Sequence, residues 1–462
     1  MAPKFGTSGL RGLVVDLTPE CVASYVQAFI AACPIGNGLY VGHDLRPSSP
    51  DLAQSVAAAA ESAGVRVVFC GGVPTPALAL AADKAGAAAI MVTGSHIPAD
   101  RNGLKFYTPA GEITKADEQA INAAVGTTSA SAVSGEIEHD DTIAAAYLTR
   151  YVDAFGTALA GLRVGLYSHS GVARDVLKQI LQGLGADVVE LGRTDDFIPV
   201  DTEAVSAELR AQLRDWAKEH GVAAIVSTDP DGDRPLLTDA NGNVIPGDVL
   251  GQITAKMLGA EIVVTPVSSN TGVDKSGDFA KVIRTQIGSP FVIAAMEQAG
   301  GKVIGYEANG GFLLGYDATG PAGGVLTPLV TRDSTLPMVC VLASARESTV
   351  AEVVAAQPAR FTAADRLQEI PTEQSKALVA SLTNDDAARD AFLSNFGARS
   401  VGVDTTDGLR MTLESGLIVH LRPSGNAPEL RLYVEADDAA LARQMLEDGL
   451  KIVAREVAKV TV

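Results

Sequence analysis

A long-period repeat constrains this chain more than any other feature of its sequence. Gly86–Val92 (GAAAIMV) runs into a polar loop, a basic residue and then LKFYTPAGE, while Gly221–Val226 (GVAAIV) runs into a polar loop, an Arg-Pro pair and then LLTDANGN. In both, a buried strand delivers a polar loop and a hairpin-like strand with a Gly turn follows. The upstream pieces match in kind, since GVRVVFCGG and GADVVELGR each follow an amphipathic helix. A third unit is read at Gly301–Gly315, GKVIGYEANGGFLLG, which again sets a polar loop between apolar segments. The period is far longer than that of a solenoid, so the repeating object is a domain.

Within the first repeat, Gly38–Val41 reads as a strand, Leu52–Ala63 as a helix, and Val65–Phe69 and Ala87–Val92 as strands. That rhythm predicts layered α/β domains with mixed, largely parallel sheets. Gly126–Ser134 reads as a polar loop of the first domain. The last part differs. Leu409–Leu413 and Leu417–Leu421 read as a hairpin turning at Glu414, Ser415 and Gly416. Glu429–Val434 is expected as a strand and Ala439–Val457 as an amphipathic helix, together a smaller α+β domain. The 462 residues are too many for one core. The expected domains are 1–150, 151–253, 254–365 and 366–462.

A net charge of −19 argues against nucleic acid or an anionic membrane as partner, though a few local Arg and Lys can still hold an anionic small molecule. No apolar run reaches the ~18 residues needed to span a bilayer. Cys21, Cys33, Cys70 and Cys340 lack metal-ligand spacing, and no secretory pattern opens the chain, so a cytoplasmic protein is expected. The sequence leaves the oligomeric state open.

Five loops carry the chemistry. In Ser227–Arg234, STDPDGDR, Asp229, Asp231 and Asp233 alternate after an apolar strand. Three hard oxygen ligands there suit a small divalent cation, and Mg²⁺ favours carboxylates with phosphate completing its shell. The spacing is not that of an EF-hand, and Asp-Pro-Asp-Gly is also a good solvated turn. In Thr93–Lys105, TGSHIPADRNGLK, Ser95 stands just past a strand, where α/β folds place reactive groups. His96, Arg101 and Lys105 are close enough in sequence to build an electropositive pocket. No GxSxG elbow surrounds Ser95, which disfavours a hydrolase triad. In Arg422–Pro428, RPSGNAP, Arg422 offers a bidentate fork to phosphate, while Ser424, Gly425 and Asn426 offer hydroxyl, backbone and amide donors; Arg431 follows on the adjoining strand. Gly305–Gly311 (GYEANGG) presents Glu307 and Asn309, a pair suited to sugar hydroxyls, and Lys4–Gly12 (KFGTSGLRG) is a weak anion loop containing Arg11.

With these loops in this order, the chain resembles the α-D-phosphohexomutase superfamily, of phosphomannomutase/phosphoglucomutase type, along its whole length. The family's serine loop looks like T-x-S-H-N-P, its metal loop D-x-D-x-D-R, its sugar loop G-x-E-x-S and its phosphate loop R-x-S-x-x-x-P. Here these correspond to Thr93–Pro98, Asp229–Arg234, Gly305–Gly311 and Arg422–Pro428. The resemblance implies a heart-shaped, four-domain architecture around a central cleft, with three similar mixed-sheet α/β domains and a C-terminal α+β domain. It implies that Ser95 is a phosphoserine in the working enzyme, and that Asp229, Asp231 and Asp233 hold Mg²⁺ together with an oxygen at Ser95. Lys105, Arg11 and His96 would serve the reacting phosphate, and Arg234 would support the metal loop. Glu307 and Asn309 would hold sugar hydroxyls, with Arg284 in a substrate-facing segment. Arg422, Ser424, Gly425, Asn426 and Arg431 would anchor the phosphate that is not reacting. The implied reaction interconverts hexose 1-phosphate and hexose 6-phosphate of mannose or glucose, with hexose 1,6-bisphosphate as intermediate and activator.

Three departures stand out. Ile97 replaces the usual Asn of the serine loop, Asn309 stands where many members have Ser, and Gly311 stands where many bacterial mannose and glucose enzymes have His. The EANG loop is similar to that of N-acetylglucosamine phosphate mutases, which makes a hexosamine phosphate mutase the nearest alternative. A phosphatase phosphorylated at Ser95 and a non-enzymatic sugar-phosphate binder are the rivals of other classes.

Overall fold

The computed structural model describes residues 3–6, 9–127, 134–424 and 428–460. They gather into two compact units: Met1–Val263 with Gly288–Ala356, and Val264–Ile287 with Gln357–Val462.

The first unit bears out the repeat. The strand Ala88–Val92 is apolar and wholly buried, so it lies inside its sheet rather than at an edge. It pairs in parallel with Leu39–His43 and antiparallel with Arg101–Thr108, with Met91 opposite Lys105. The strand Ala224–Thr228 pairs in parallel with Arg163–Tyr167 and antiparallel with Pro235–Leu237, where Thr228 faces Pro235. In the third copy Val303–Tyr306 runs antiparallel to Phe312–Leu314, with Tyr306 opposite Phe312. Each polar loop noted in the sequence is therefore the connection inside one antiparallel pair, on a buried strand. The sheets are mixed because parallel crossovers supply the interior while the loop-bearing strand turns straight back.

Helices cover these sheets. Pro19–Ala32 is entered through a Thr18 cap and a proline, and buries Val22, Val26, Ala28 and Phe29. Ser49–Ser62 buries Leu52, Ala53, Val56, Ala57, Ala59 and Ala60, all on one stripe at helical spacing. Both pack into a core with Leu39, Val41, Ile90, Leu104 and Phe106.

The second unit carries a five-stranded antiparallel sheet ordered Phe361–Leu367, Leu430–Ala436, Ile418–Pro423, Leu409–Leu413, Ser400–Asp404. Leu409, Met411 and Leu413 alternate inward. They share one buried core with Met445, Ile452 and Val453 of the helix Ala439–Val457. Burying each such side chain contributes about 1.5–3 kcal/mol. The predicted hairpin closes where the Gly416 amide donates to the Leu413 carbonyl at 2.8 Å. Two strands of this sheet escaped the sequence reading, Phe361–Leu367 and Ser400–Asp404. They form the edges of the sheet and are largely exposed, so neither carries a strong apolar alternation. No helix among the described residues is long and apolar enough to cross a membrane.

Candidate active site

In the first unit the serine loop is held in an unusual shape. Ser95 has φ 53°, in the left-handed region that non-glycine residues seldom occupy. Buried Arg46 explains how that shape persists. Its Nη2 donates to the carbonyls of Ser95 (2.7 Å) and Ile97 (2.8 Å), and its Nη1 to those of Pro98 (2.7 Å) and Arg101 (3.0 Å). The guanidinium passes directly over Gly94, where a Cβ would lie 2.8 Å from its central carbon. Asp44 completes the brace, accepting from the Thr93 hydroxyl at 2.7 Å, while Thr93 Oγ1 accepts from the Ser95 amide at 2.8 Å. Arg46 and Asp44 were not singled out in the sequence. Their signal was a charged pair directly after an apolar strand, in His43–Arg46.

The same brace corrects the expected pocket. Arg101 is exposed, and only its backbone carbonyl takes part. Lys105, four residues along the strand, is buried and reaches Asp231 Oδ2 at 2.5 Å and Asp233 Oδ2 at 2.6 Å.

The metal loop is built around its first carboxylate. Asp229 Oδ1 accepts from the amides of Asp233 and Arg234, both at 3.1 Å, and its Oδ2 accepts from the Ser95 hydroxyl at 2.8 Å. Asp231 Oδ2 also accepts from the Thr75 hydroxyl at 2.6 Å. The second oxygens of Asp231 and Asp233 are buried with no hydrogen-bond partner. Each of the three residues offers one oxygen, and these oxygens lie within 4.8 Å of one another. Three hard carboxylate donors, two of them with an orphaned buried oxygen, fit a small divalent cation such as Mg²⁺. Burial, Asp231 and Asp233 push the Asp229 carboxyl well above the ordinary carboxylate range. A divalent cation would relieve that repulsion. Burial works the same way on Asp233, but Arg332, Lys105 and Arg234 outweigh it and hold its pKa far down.

Cations surround the loop. Burial and the neighbouring Arg234 push Arg11 down to about 10. His96 Nδ1 lies 2.9 Å from Arg234 Nη1 and 3.3 Å from Ser95 Oγ. Because a guanidinium only donates, that ring nitrogen is the acceptor. Burial and Arg234 lower the His96 pKa to about 4, so the ring is neutral and its free lone pair is already engaged. The Ser95 hydroxyl turns to Asp229 instead.

The sugar loop adds buried Glu307, with Asn309 Nδ2 at 3.5 Å from its Oε2. Arg332, absent from the sequence reading, donates through Nε to Asp233 Oδ2 at 3.0 Å and through Nη1 to Glu307 Oε2 at 3.4 Å. Ser95, His96, Lys105, Asp229, Asp231, Asp233, Arg234, Glu307, Asn309 and Arg11 thus all stand in the first unit.

The remaining candidates stand in the second. Arg422 donates through Nε to Asp407 Oδ2 at 2.8 Å. The Ser424 amide donates to the Glu429 carbonyl at 2.9 Å. Arg431 Nη2 is 3.6 Å from Glu429. Gly425 and Asn426 lie outside the described residues. Arg284 donates to the carbonyls of Pro266, Ser269 and Asn270 and pairs with Asp274, so its guanidinium braces the turn that follows the strand Ile262–Pro266.

Four family models match the chain in order. Those described as phosphoglucomutase/phosphomannomutase α/β/α domains I, II and III match residues 2–132, 145–242 and 246–361, and the C-terminal domain matches 362–451. A phosphomannomutase of Sinorhizobium fredii is 47% identical over 472 aligned positions, covering 98% of this chain and 99% of the relative. A phosphomannomutase of Salmonella muenchen is 43% identical, covering 96% of this chain and 94% of the relative. Among solved structures, a phosphoglucomutase/phosphomannomutase family protein from Burkholderia thailandensis matches with a TM-score of 0.80 over 98% of each chain; at 21% identity that likeness speaks for the fold alone. With every domain of the family present in sequence order, the chain belongs to the phosphoglucomutase/phosphomannomutase family and is a phosphohexomutase, an isomerase that moves a phosphoryl group within one hexose.

Proposed function

We propose that this phosphohexomutase acts on mannose phosphates, and on glucose phosphates as a second substrate, through a phosphoserine at Ser95. The observation that carries the reading is the Ser95 hydroxyl, held in a left-handed turn with its oxygen 2.8 Å from the first carboxylate of the metal loop. The two phosphomannomutase relatives support mannose over an amino sugar.

Two transfers make one turnover. In the first, the phosphorus–Ser95 Oγ bond breaks as a bond forms to a sugar hydroxyl oxygen, and the proton that hydroxyl loses balances the one Ser95 regains. The product is a hexose 1,6-bisphosphate. In the second, the other phosphate returns to Ser95 with the same balance reversed. Loss of the bisphosphate between the two leaves a dephosphorylated enzyme, which makes added bisphosphate an activator.

The residues divide this work. Asp229, Asp231 and Asp233 would hold Mg²⁺, which when bound supplies charge neutralisation and polarisation at phosphoryl oxygens. Lys105, kept cationic by Asp231 and Asp233, and Arg11 bind the oxygens of the phosphate at Ser95. His96 fixes Arg234 by accepting from it, and Arg234 in turn supports the loop. Glu307 and Asn309 receive sugar hydroxyls. Arg422 and Arg431, with Ser424, Gly425 and Asn426, bind the phosphate that is not transferring; Arg422 is oriented for this by Asp407. Parallel coupled assays with mannose 1-phosphate, glucose 1-phosphate and glucosamine 1-phosphate test the reading. Turnover of the first two supports it. Turnover of the amino sugar alone, or phosphate release without isomer, would refute it.

A further inference from the structure

Gly311 leaves a space beside the sugar loop, and Arg332 fills it. A Cβ at residue 311 would lie 2.5 Å from Arg332 Cδ, 2.6 Å from its Cγ and 3.0 Å from its Cβ. No real side-chain carbon tolerates that, and the obstructing atoms are the stem of the arginine rather than its mobile tip. Glycine is therefore needed at 311 for steric reasons. Beyond the stem, the guanidinium meets both functional loops. Nε and Nη2 lie 3.0 and 2.8 Å from Asp233 Oδ2, and Nη1 lies 3.4 Å from Glu307 Oε2. Nη1 also lies 3.2 Å from Ser289 Oγ, which donates to Glu112 Oε2 at 2.7 Å. The side chain is 3% exposed.

These contacts select oxygens. On Asp233, Arg332 and Lys105 both take Oδ2, and Oδ1 is the atom left without a hydrogen-bond partner. On Glu307, Arg332 and Asn309 both approach Oε2, at 3.4 and 3.5 Å. One guanidinium thus orients a metal-loop carboxylate and a sugar-loop carboxylate together.

We propose that Arg332, admitted by Gly311, is a positioning residue that couples sugar recognition at Glu307 to metal holding at Asp233. The proposal rests on the mutase reading above. It accounts for the departure at 311: the cation that this chain places beside the sugar loop comes from residue 332, on the strand Leu329–Asp333. Two carboxylates are served by one planar fork, a task that the point charge of lysine does not reproduce.

The test uses the full-length protein with Gly311→Ala, Arg332→Lys and the double variant. Calorimetry measures Mg²⁺ binding without substrate, and steady-state assays give KM and kcat for mannose 1-phosphate. Arg332→Lys keeps the buried charge and is expected to fold. It should raise KM about tenfold while changing Mg²⁺ affinity by less, because lysine can keep only one of the two partners. Gly311→Ala, which pushes the arginine stem aside, should weaken both sugar and Mg²⁺ binding about tenfold. The double variant should be no worse than the poorer single one, since both changes disturb one contact set. Unchanged Mg²⁺ affinity and KM in Gly311→Ala, or losses that simply add in the double variant, would overturn the proposal. Wild type run alongside separates the two levels: no isomer from wild type defeats the mutase reading, while the Mg²⁺ calorimetry of the variants still decides the role of Arg332.

Discussion

Ser95 and Asp229 are 134 residues apart in the chain, yet the serine hydroxyl donates to the aspartate Oδ2 at 2.8 Å. The two loops that meet there come from equivalent places in two copies of one repeat, each joining an antiparallel strand pair. A nucleophile from one copy is thereby set against the metal ligands of the next.

The carboxylates should not respond alike to neutralisation. Asp229 Oδ1 accepts two amides and its Oδ2 a hydroxyl, so Asp229→Asn keeps the amides on its carbonyl oxygen and turns its NH₂ group to Ser95 Oγ, reversing that hydrogen bond. Asp229→Asn should therefore lose both Mg²⁺ affinity and serine alignment. Asp231→Asn and Asp233→Asn should mainly weaken Mg²⁺ binding, with partial rescue of turnover at high Mg²⁺. Mg²⁺ titrations of turnover check this; three curves matching wild type would place the metal elsewhere.

Arg46→Lys should damage the enzyme through the backbone. Lysine cannot serve four carbonyls held by two guanidinium nitrogens, and losing even two charged hydrogen bonds costs about 3 kcal/mol or more. The expected result is a lower urea midpoint and a fall in kcat, with Mg²⁺ binding retained because Arg46 touches none of the three loop carboxylates. Denaturation and calorimetry on one preparation measure both.

Much of this site was legible in the sequence because its parts are local. An apolar strand followed by a polar loop marks Ser95 and the Asp229–Asp233 run without any tertiary information. Arg46 and Arg332 were not legible for the opposite reason. Arg46 acts on backbone carbonyls some fifty residues away, and the charged pair after its strand does not disclose that target. Arg332 fills a space whose existence shows only as a glycine at 311, and nothing in the intervening 20 residues points from one to the other. Arg284 has contacts that local reading did not reveal either, since its guanidinium donates to the carbonyls of Ser269 and Asn270, 15 and 14 residues upstream.

His420 sets an acid limit on the C-terminal domain. Its Nε2 donates to the Asp407 carbonyl at 2.6 Å and its Nδ1 is buried without a partner, so a second proton has no acceptor. Burial lowers its pKa from 6.5 to about 4. The unfolded chain takes up that proton near 6.5 while the folded one does not. The associated stability is full above pH 6.5 and is lost as pH falls from there to about 4, amounting to at most about 3 kcal/mol. NMR titration, with the signal assigned by its loss in His420→Gln, should give a midpoint near 4. A midpoint near 6.5 would contradict the buried placement.

Arg422→Ala should impair phosphate retention more than transfer. Asp407 holds the Nε of Arg422 at 2.8 Å, which orients the fork in the loop read as the phosphate anchor. Loss of one charge-assisted contact costs about 1.5–3 kcal/mol, so KM should rise about tenfold to a hundredfold. Added hexose 1,6-bisphosphate should restore part of the rate by rephosphorylating enzyme that has lost its intermediate, and Arg422→Lys should rescue poorly. Unchanged KM with no bisphosphate effect would make Arg422 a residue of a surface turn.

The central claim is that Ser95 carries the phosphate in transit. Intact-mass and peptide mapping of wild type and Ser95→Ala, after incubation with hexose 1,6-bisphosphate and Mg²⁺, tests it most directly when paired with turnover. Wild type should gain one phosphate, mapped to Ser95. The variant should gain none and should lose more than about a thousandfold in kcat while keeping its melting temperature, because removing a nucleophile abolishes a covalent route. A phosphate on another residue, or Ser95→Ala turning over at close to the wild-type rate, would contradict the account.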